Sequence, residues 1–309
     1  MILVDLNQIM IGGLMVQVTK DPDKKLNETL VRHMVLNTLR SYRKKFHDEY
    51  GEFILCCDSK HYWRKDVFPN YKANRKKDRA SSDLDWGVIF EFLNRIKQEL
   101  IDYFPYMVLE VYGAEADDII AVILKNKPTT SSKDLILSSD KDFIQLHSIK
   151  ATDQYSPVTK RFIKHKNPQA YMFEHIIKGD RSDGVPNVLS PDDSFVEGTR
   201  QKTIRKTVIT EIIELIEQGK DPLILHTLIK NCSKDTWIRN WQRNNLLVNL
   251  DSIPEKLETE IRSLFVRQNP GYATGFRDKN GKYKANRDKL FDYFIKNGLT
   301  DLIQNIGDF

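Results

Sequence analysis

GAEADDIIAVI at residues 113–123, followed by LILSS at 135–139 and DKDF at 140–143, is the stretch that decides the fold. The apolar spacing of the first segment predicts a helix, and the second segment predicts a short buried strand. Six carboxylates lie within this part of the chain: Glu115, Asp117, Asp118, Asp134, Asp140 and Asp142. Carboxylates this crowded repel one another unless cations relieve them, and oxygen ligands suit Mg²⁺ or Mn²⁺. The pattern predicts a two-metal site for phosphodiester hydrolysis.

Strand-like and helix-like segments alternate on both sides of this stretch. Apolar runs at 2–4, 53–57, 107–111 and 135–137 predict strands, and helices are predicted after Asn27, at 88–104, at 117–125 and from Lys141. This alternation predicts an α/β fold with a mostly parallel central sheet flanked by helices. Asp5, Asp58 and Asp140 follow predicted strands, with Glu115 a few residues further on. We expect them to converge at the carboxyl edge of the sheet.

The chain becomes mostly helical from about residue 168. Periodic segments at 171–178, 204–217, 223–230 and 288–297 predict helices, and the compositions of 189–201 and 269–284 predict loops. We therefore expect an α/β domain at 1–167, with an insert at about 59–86, followed by a helical region at 168–309. The pentapeptide YKANR occurs at 71–75 and again at 283–287, which is too short to indicate a duplication.

Composition favours an intracellular protein that binds a polyanion. The 309 residues are 40% hydrophobic and carry a formal net charge of +5. Because so many acids lie at the predicted site, the remaining surface is more basic than this value. Three cysteines cannot all pair, which fits a reducing cytosol. We see no leader sequence and no apolar run long enough to span a membrane.

Each acidic motif also has a simpler explanation when it is read alone. EADD at 115–118 is equally typical of acids at a helix N-terminus, and SSDKD at 138–142 of residues that cap a helix. Glu115 and Asp118 share one helical face, with Asp117 adjacent. The two motifs favour a metal site when they are combined with Asp5 and Asp58 at the edge of one sheet.

The insert combines positive charge with aromatic residues. Residues 59–79 contain eight basic residues, two acids and four aromatics. The basic residues are Lys60, Arg64, Lys65, Lys72, Arg75, Lys76, Lys77 and Arg79, and the aromatics are Tyr62, Trp63, Phe68 and Tyr71. A charged run is usually a solvated surface, but interleaved aromatics are typical of proteins that stack single-stranded nucleic acid. We expect this insert to contact nucleic acid.

A further acidic turn follows the first helix of the helical region. In GDRSDGVPNV at 179–188, Asp180 and Asp183 lie in a turn closed by Gly184 and Pro186. Read alone, this is an ordinary connection between helices, and such a turn can also offer backbone amides to a phosphate. The seven histidines show neither HExxH nor zinc-finger spacing, so they predict no transition-metal site.

Taken together, these motifs resemble those of the structure-specific 5′ nucleases, the flap-endonuclease family, which share a PIN-like fold. Asp5, Asp58, YKANR at 71–75, EADD, SSDKDF and GDRSDGVPNV occur in the family's order. The resemblance is most specific over residues 1–190. It extends less specifically to the C-terminus with phage members of the family, through LVNLDSIP at 247–254 and YFIKNGLTDLIQNIGDF at 293–309.

This resemblance implies roles for individual residues. The first metal ion would be held by Asp5, Asp58, Glu115, Asp117 and Asp118, and the second by Asp140, Asp142, Asp180 and Asp183, some of them through water. Lys72 and Arg75 match cations at the base of a helical arch that position the scissile phosphate. Tyr71 matches an aromatic on which the terminal nucleotide stacks. A helix-three-turn-helix-like, DNA-binding motif is implied near 171–215.

Two departures from the family pattern limit the resemblance. LSPDDSFVEG at 189–198 replaces the usual glycine-rich hairpin, which leaves a potassium site and the usual grip on downstream duplex in question. No residues precede the first strand, so we expect no N-terminal docking peptide.

The expected activity is cleavage of DNA and RNA/DNA duplexes from 5′ ends and at 5′ flaps with two Mg²⁺ or Mn²⁺ ions, removing RNA primers during phage replication. We expect a monomer in the cytoplasm of the infected cell, with a phage single-strand-binding protein or sliding clamp as candidate partners. The alternatives are a PIN-type ribonuclease and a nucleic-acid-binding protein without catalysis. A phosphatase of the DxDxT type is disfavoured, because Leu6 and Asn7 follow Asp5.

Overall fold

A computed structural model describes residues 1–20, 26–127, 133–230, 232–268 and 287–309. Within these residues, six strands form one sheet in the order β3-β2-β1-β4-β5-β6. The strands are β1 (Ile2–Asp5), β2 (Phe53–Cys57), β3 (Met107–Glu110), β4 (Asp134–Leu137), β5 (Thr152–Ser156) and β6 (Arg161–Ile163). All neighbours pair in parallel except β5 and β6, which are antiparallel. The predicted α/β class with a mostly parallel sheet is confirmed.

Helices cover both faces of the sheet. The helices of the first half are α1 (Leu6–Lys20), α2 (Glu28–Tyr50), α3 (Trp63–Val67), α4 (Ala73–Ala80), α5 (Trp86–Tyr103) and α6 (Ala116–Asn126). Because side chains alternate along a strand, Ile2 and Val4 pack with α1, α2 and α5, whereas Leu3 packs with α6 on the opposite face. Every residue of β1, β2 and β4 is buried, as expected for strands covered on both sides.

The remaining helical elements form two groupings. They are the 3₁₀ helix Asp142–Ser148, α7 (Pro168–Lys178), α8 (Lys206–Glu217), the 3₁₀ helix Pro222–Leu228, α9 (Lys234–Val248), the 3₁₀ helix Leu250–Ser252, α10 (Glu255–Gln268), α11 (Arg287–Lys296), α12 (Thr300–Ile303) and the 3₁₀ helix Ile306–Asp308. The helices α7, α8 and α9 share an apolar cluster of their own. The helices α10 and α11 instead pack into the two cores of the sheet. The helices from residue 168 onward therefore contribute to different apolar clusters, with α7, α8 and α9 in one and with α10 and α11 in the cores of the sheet.

The insert at 59–86 forms α3 and α4 before the chain enters α5. Trp63, Phe68 and Tyr71 are 8%, 4% and 3% exposed, and the last two pack into the apolar cluster of α7, α8 and α9. Most of the aromatics that the sequence offered as stacking platforms therefore belong to the interior. Among the basic residues of the insert, Lys60, Lys65, Lys76, Lys77 and Arg79 are exposed.

Several loop predictions can be compared with the structure. Residues 189–201 contain turns and no helix or strand, as predicted. Asp192 in this loop is bound by Arg239 and Arg243 of α9, and its carbonyl accepts a hydrogen bond from Asn70 at 3.0 Å. The predicted loop at 269–284 lies outside the described residues, as does nearly all of the second YKANR. No helix in the described residues is long and apolar enough to cross a membrane.

Candidate active site

Four carboxylates meet at the carboxyl edge of the sheet. Asp5 ends β1, Asp58 follows β2, Asp140 follows β4, and Asp117 lies in the first turn of α6. Strand β1 pairs with β2 on one side and β4 on the other, so their ends bring Asp5 close to Asp58 and Asp140. Burial, followed by repulsion from Asp58 and Asp140, raises the pKa of Asp5 to about 7. The parallel strand order thus produces the convergence that the sequence predicted.

Backbone and side-chain donors orient two of these carboxylates. Asp5 accepts hydrogen bonds from the Gln8 backbone N–H at 3.0 Å and the Ser138 hydroxyl at 3.1 Å. The first bond arises because the chain passes directly from β1 into α1. Asp58 accepts from the backbone N–H of Ala116 at 2.8 Å, at the start of α6. These bonds fix the carboxylates in place without neutralising their charge.

The charge at this edge is under-compensated. Burial, then repulsion from Asp140 and Asp5, raises the pKa of Asp117 well above its ordinary value. Burial, then repulsion from Asp142, raises the pKa of Asp140 to about 6. A cation would relieve this repulsion, and a donor set made only of carboxylate oxygens suits Mg²⁺ or Mn²⁺. The residues present therefore fit a divalent metal ion.

A second group of donors lies beside Asp140. Asp142 begins a 3₁₀ helix, and His175 lies in the last turn of α7. The two ring nitrogens of His175 lie 3.1 Å from Asp142 and 3.1 Å from Asp180, and one ligand atom of each residue lies within 4.8 Å of the others. Burial opposes the charge on His175, but the two carboxylates outweigh burial and raise its pKa to about 10. His175 was not predicted from the sequence, because a lone histidine carries no motif spacing.

Glu115 and Asp183 are held by Lys72 and Arg75, which lie at the start of α4 and are called the arch base here. Lys72 Nζ lies 2.5 Å from Glu115 and 3.5 Å from Asp183, and the Arg75 guanidinium lies 2.6 Å from Asp183. Burial opposes ionisation of Glu115, but Lys72 and Arg64 outweigh it, so the pKa of Glu115 is lowered. Lys72 and Arg75 therefore converge on one carboxylate, next to the acidic edge.

Tyr71 contacts both acids of this ion-pair group. Its hydroxyl donates toward Asp183 at 2.7 Å and Glu115 at 3.1 Å, and burial followed by these two carboxylates raises the pKa of Tyr71 well above its ordinary value. Tyr71 is only 3% exposed, whereas stacking on a nucleotide requires an open ring face. The geometry favours a role for Tyr71 in positioning the two acids.

Asp118 is enclosed by donors. It is 0% exposed and accepts from the Arg64 guanidinium at 3.0 Å, the Trp63 indole at 3.2 Å and the Glu115 backbone N–H at 3.0 Å. Asp118 thus completes the reciprocal cap at the start of α6. Because its charge is already paired with buried Arg64, the geometry favours positioning over metal ligation.

Asp134 belongs to a different part of the molecule. It is the first residue of β4, and its carboxylate pairs with Lys127, which follows α6. Asp140 comes after the other end of the same strand, so the two acids lie at opposite edges of the sheet. The sixth carboxylate of the crowded stretch is therefore not part of the site.

The acidic turn after α7 docks against the arch base. Gly184 has a φ of +72°, and a Cβ there would lie 3.0 Å from the carbonyl oxygen of Asn70. The Lys72 backbone N–H donates to the Asp183 carbonyl at 2.7 Å. Glycine permits both this conformation and this close approach, and together they bring Asp180 and Asp183 to the edge of the sheet.

Asp5→Asn should stabilise the protein at alkaline pH when metal is absent. Burial and repulsion raise the pKa of Asp5 to about 7, so the folded protein keeps this proton at pH values where the unfolded chain has lost it. The group therefore lowers stability as pH rises from about 4 to about 7, and no further above that. Urea unfolding in EDTA at pH 8 should show a gain of about 2 to 4 kcal/mol, and little gain at pH 4. Asp48→Asn, on the exposed surface of α2, is the control. An equal gain in stability at both pH values would contradict the idea that the charge on Asp5 destabilises the folded protein.

Comparison with known proteins identifies the family. Residues 1–174 match the model of the 5′-3′ exonuclease N-terminal resolvase-like domain, and residues 167–309 match the model of the T4 RNase H C-terminal region. Ribonuclease H of Enterobacteria phage T4 is 33% identical over 316 aligned residues, covering 99% of this chain and 95% of that protein. The thermostable DNA polymerase I of Thermus filiformis is 28% identical over 162 residues, which are 50% of this chain and 18% of the polymerase.

Two solved structures share the fold. The flap endonuclease of bacteriophage T5, in a pseudo-enzyme-product complex with DNA and metal ions, superposes with a TM-score of 0.61 at 17% identity, covering 87% of this chain and 98% of that one. The T5 5′-exonuclease with bound zinc gives 0.60 at 18% identity, covering 87% and 99%. The family-model match spans the acidic edge and the arch base, and the sequence likeness to the phage T4 enzyme spans the whole chain. The protein belongs to the 5′-3′ exonuclease family and is a phosphodiester hydrolase.

Proposed function

We propose that the protein is a divalent-metal-dependent 5′ to 3′ exonuclease and 5′-flap endonuclease on DNA and RNA/DNA duplexes. Its role would be to remove RNA primers during phage DNA replication. The observation that carries this proposal is the convergence of the acidic edge with Lys72 and Arg75. The carboxylates of the acidic edge need cations to relieve their repulsion. Beside them lie Lys72 and Arg75, which can bind a phosphate and which both contact Asp183.

The acids divide into three roles in this proposal. Asp5, Asp58 and Asp117 hold the first metal ion. Asp140, which the family resemblance assigns to the second ion, joins this first group because it follows β4 beside Asp5. Asp142 and Asp180 hold the second ion. Glu115, Asp118 and Asp183 position their neighbours or act through water. When bound, two divalent cations supply Lewis-acid stabilisation of the phosphate and lower the pKa of an attacking water.

The cations of the arch base act on the phosphate. In the structure, Lys72 pairs with Glu115, and Arg75 pairs with Asp183. A phosphate entering beside them offers oxygens that compete for the same donors, and the planar guanidinium of Arg75 can bind two of these oxygens. Charge that builds on the phosphate during cleavage would be stabilised by both cations.

A substrate comparison tests the proposed function. Cleavage of a 5′-flap duplex, a nicked duplex and an RNA primer on DNA is measured in Mg²⁺ and in EDTA, with an intact hairpin RNA as the control for a PIN-type ribonuclease. We expect cleavage of the first three in Mg²⁺ only, with products carrying a 5′ phosphate and a 3′ hydroxyl. Binding of all substrates without cleavage would support the non-catalytic alternative. Preference for the hairpin would overturn the proposal.

Lys72→Ala should lower the rate of cleavage much more than the affinity for substrate. An interaction that strengthens only in the transition state leaves ground-state binding nearly intact. We expect a loss of about 10²-fold in the single-turnover rate in Mg²⁺, and a change of a few fold at most in the dissociation constant in Ca²⁺. Lys44→Ala, exposed on α2 away from the insert, is the control. Equal losses in rate and affinity would mean that Lys72 only holds the substrate.

The exposed lysines of α4 should contribute to binding through charge alone. Phosphate contacts release counterions, so affinity falls with salt in proportion to their number. Removing Lys76 and Lys77 together should make the slope of log affinity against log salt shallower by about one to two units. The control is Lys44→Ala with Lys256→Ala, two exposed lysines of other helices. An unchanged slope would show that Lys76 and Lys77 remain solvated.

Other features of the proposal concern the cell. We propose a monomer that acts in the cytoplasm of the infected bacterium, with a phage single-strand-binding protein or sliding clamp as its replication partner. The division into a nuclease domain at 1–167 and a DNA-binding helical region at 168–309, with a helix-three-turn-helix-like motif near 171–215, belongs to the same proposal. The buried cluster shared by α7, α8 and α9 supports at least the helical part.

A further inference from the structure

His175 occupies a position among the proposed metal ligands that nothing in the mechanism above uses. Its Nδ1 lies 3.1 Å from Asp142 Oδ1, and its Nε2 lies 3.1 Å from Asp180 Oδ2. One ligand atom from each of these three residues lies within 4.8 Å of the others, a spacing that a single metal ion can span. The ring is thus part of the second donor group.

The three donors are held in place by their surroundings. The His175 side chain is 13% exposed, and Tyr171, one turn earlier on α7, packs edge-on against the ring at 5.9 Å. Asp180 Oδ1 accepts hydrogen bonds from the Ser182 N–H at 2.6 Å and the Ser182 hydroxyl at 2.7 Å. The other oxygen, Oδ2, is left facing the ring. Preorganised donors of this kind reduce the cost of binding a metal ion.

The chemistry of the donors differs between the two groups. Asp5, Asp58, Asp117 and Asp140 offer only oxygen, which suits Mg²⁺, Ca²⁺ and Mn²⁺. An imidazole nitrogen binds Mn²⁺, Co²⁺ and Zn²⁺ in preference to Mg²⁺. Binding through one ring nitrogen displaces the proton that this nitrogen otherwise carries. The second group should therefore discriminate between metals in a way that the first does not.

We propose that Asp142, His175 and Asp180 form a mixed nitrogen and oxygen site that binds a transition-series divalent cation, of which Mn²⁺ is the probe, in preference to Mg²⁺. This inference rests on the proposed metal-dependent function and specifies the metal class at its second position. The alternative is that His175 is only a cation that pairs with two acids. In that case, its removal leaves the affinity for Mn²⁺ unchanged or raises it, because a competing charge is lost.

Two variants separate ligation from charge. His175→Lys keeps a positive charge without an imidazole donor, and His175→Gln keeps neither. Mn²⁺ binding to the full-length protein at fixed pH is measured from the resonance signal of free Mn²⁺, and Mg²⁺ binding by competition. In both variants, we expect the second Mn²⁺ to bind about tenfold or more weakly, with Mg²⁺ affinity changed less than about threefold. His33→Gln, on α2, is the control, and thermal melting verifies folding.

The outcomes distinguish this inference from the proposed function. If the wild-type protein binds no Mn²⁺ at all, the metal-dependent function itself is overturned. If it binds two ions with affinities that neither variant weakens, only the role of His175 is overturned. A second measurement needs no variant: electron spin echo spectroscopy of the bound Mn²⁺ should detect one directly coordinated nitrogen. Absence of that coupling with both positions filled would also overturn the inference.

Discussion

Asp117→Asn and Asp140→Asn should each lower the single-turnover rate of flap cleavage by about two orders of magnitude or more, the scale of losing a main electrostatic stabiliser. Both side chains lie at the acidic edge, where burial, followed by repulsion from Asp140, raises the pKa of Asp117. Asparagine keeps the shape of the side chain and removes the charge that binds a metal ion. Substrate affinity in Ca²⁺ should not fall, because fewer negative charges face the phosphates.

The control for this pair is Asp78→Asn, an exposed acid on α4 in the same basic segment. It should cleave at the wild-type rate. Near-normal cleavage by Asp117→Asn and Asp140→Asn in saturating Mg²⁺ would mean that these carboxylates are not ligands. The proposed mechanism would then lose its first metal ion.

Arg64→Met should lower the free energy of unfolding by about 3 to 5 kcal/mol, which is the usual cost of leaving buried charges without their partner. Arg64 is 3% exposed and lies 2.9 Å from both Glu115 and Asp118. Its Nε also donates to the Leu247 carbonyl at 2.9 Å, which connects the start of α6 to α9. Methionine fills similar space but leaves Asp118 without its cationic partner, and Glu115 keeps only Lys72.

Urea unfolding in EDTA measures this effect, with Lys65→Met as the control because the neighbouring Lys65 is exposed. Adding Asp118→Asn to Arg64→Met should recover part of the lost stability, since it removes the buried charge that has lost its partner. A loss below about 1 kcal/mol in the single variant, the range of exposed ion pairs, would contradict a structural role for this ion pair.

The sheet and its acidic edge were predictable because they depend on local patterns. Short apolar runs predicted the strands β1 to β4, and parallel order alone brings Asp5, Asp58 and Asp140 to one edge. The strand β5 was missed because its sequence, TDQYS, is polar, although it lies against β4 in the sheet. The helix α1 was missed because it follows β1 directly, without a turn signal between them.

The roles of several charged residues could not be predicted because they depend on distant partners. Arg64 is one of the basic residues of an insert that is predicted to contact nucleic acid, yet it pairs with Glu115 and Asp118, which come more than 50 residues later. Tyr71 has the position of a stacking aromatic, and its burial follows from packing against α7, α8 and α9. His175 joins the site only because the folded chain packs α7 against the 3₁₀ helix that begins at Asp142.

Asp134 differs from these residues, because its place outside the site follows from the sequence itself. Asp134 comes before one predicted strand and Asp140 comes after it, and each residue of that strand adds about 3.3 Å to the distance between them. The acid before the strand therefore faces the opposite edge, where it pairs with Lys127.

The most direct test of two metal positions is anomalous diffraction from crystals of the wild-type protein soaked in Mn²⁺. We expect two peaks at the carboxyl edge of the sheet, one among Asp5, Asp58, Asp117 and Asp140 and the other beside Asp142 and Asp180. A single peak, or peaks away from these carboxylates, would contradict the two-metal account.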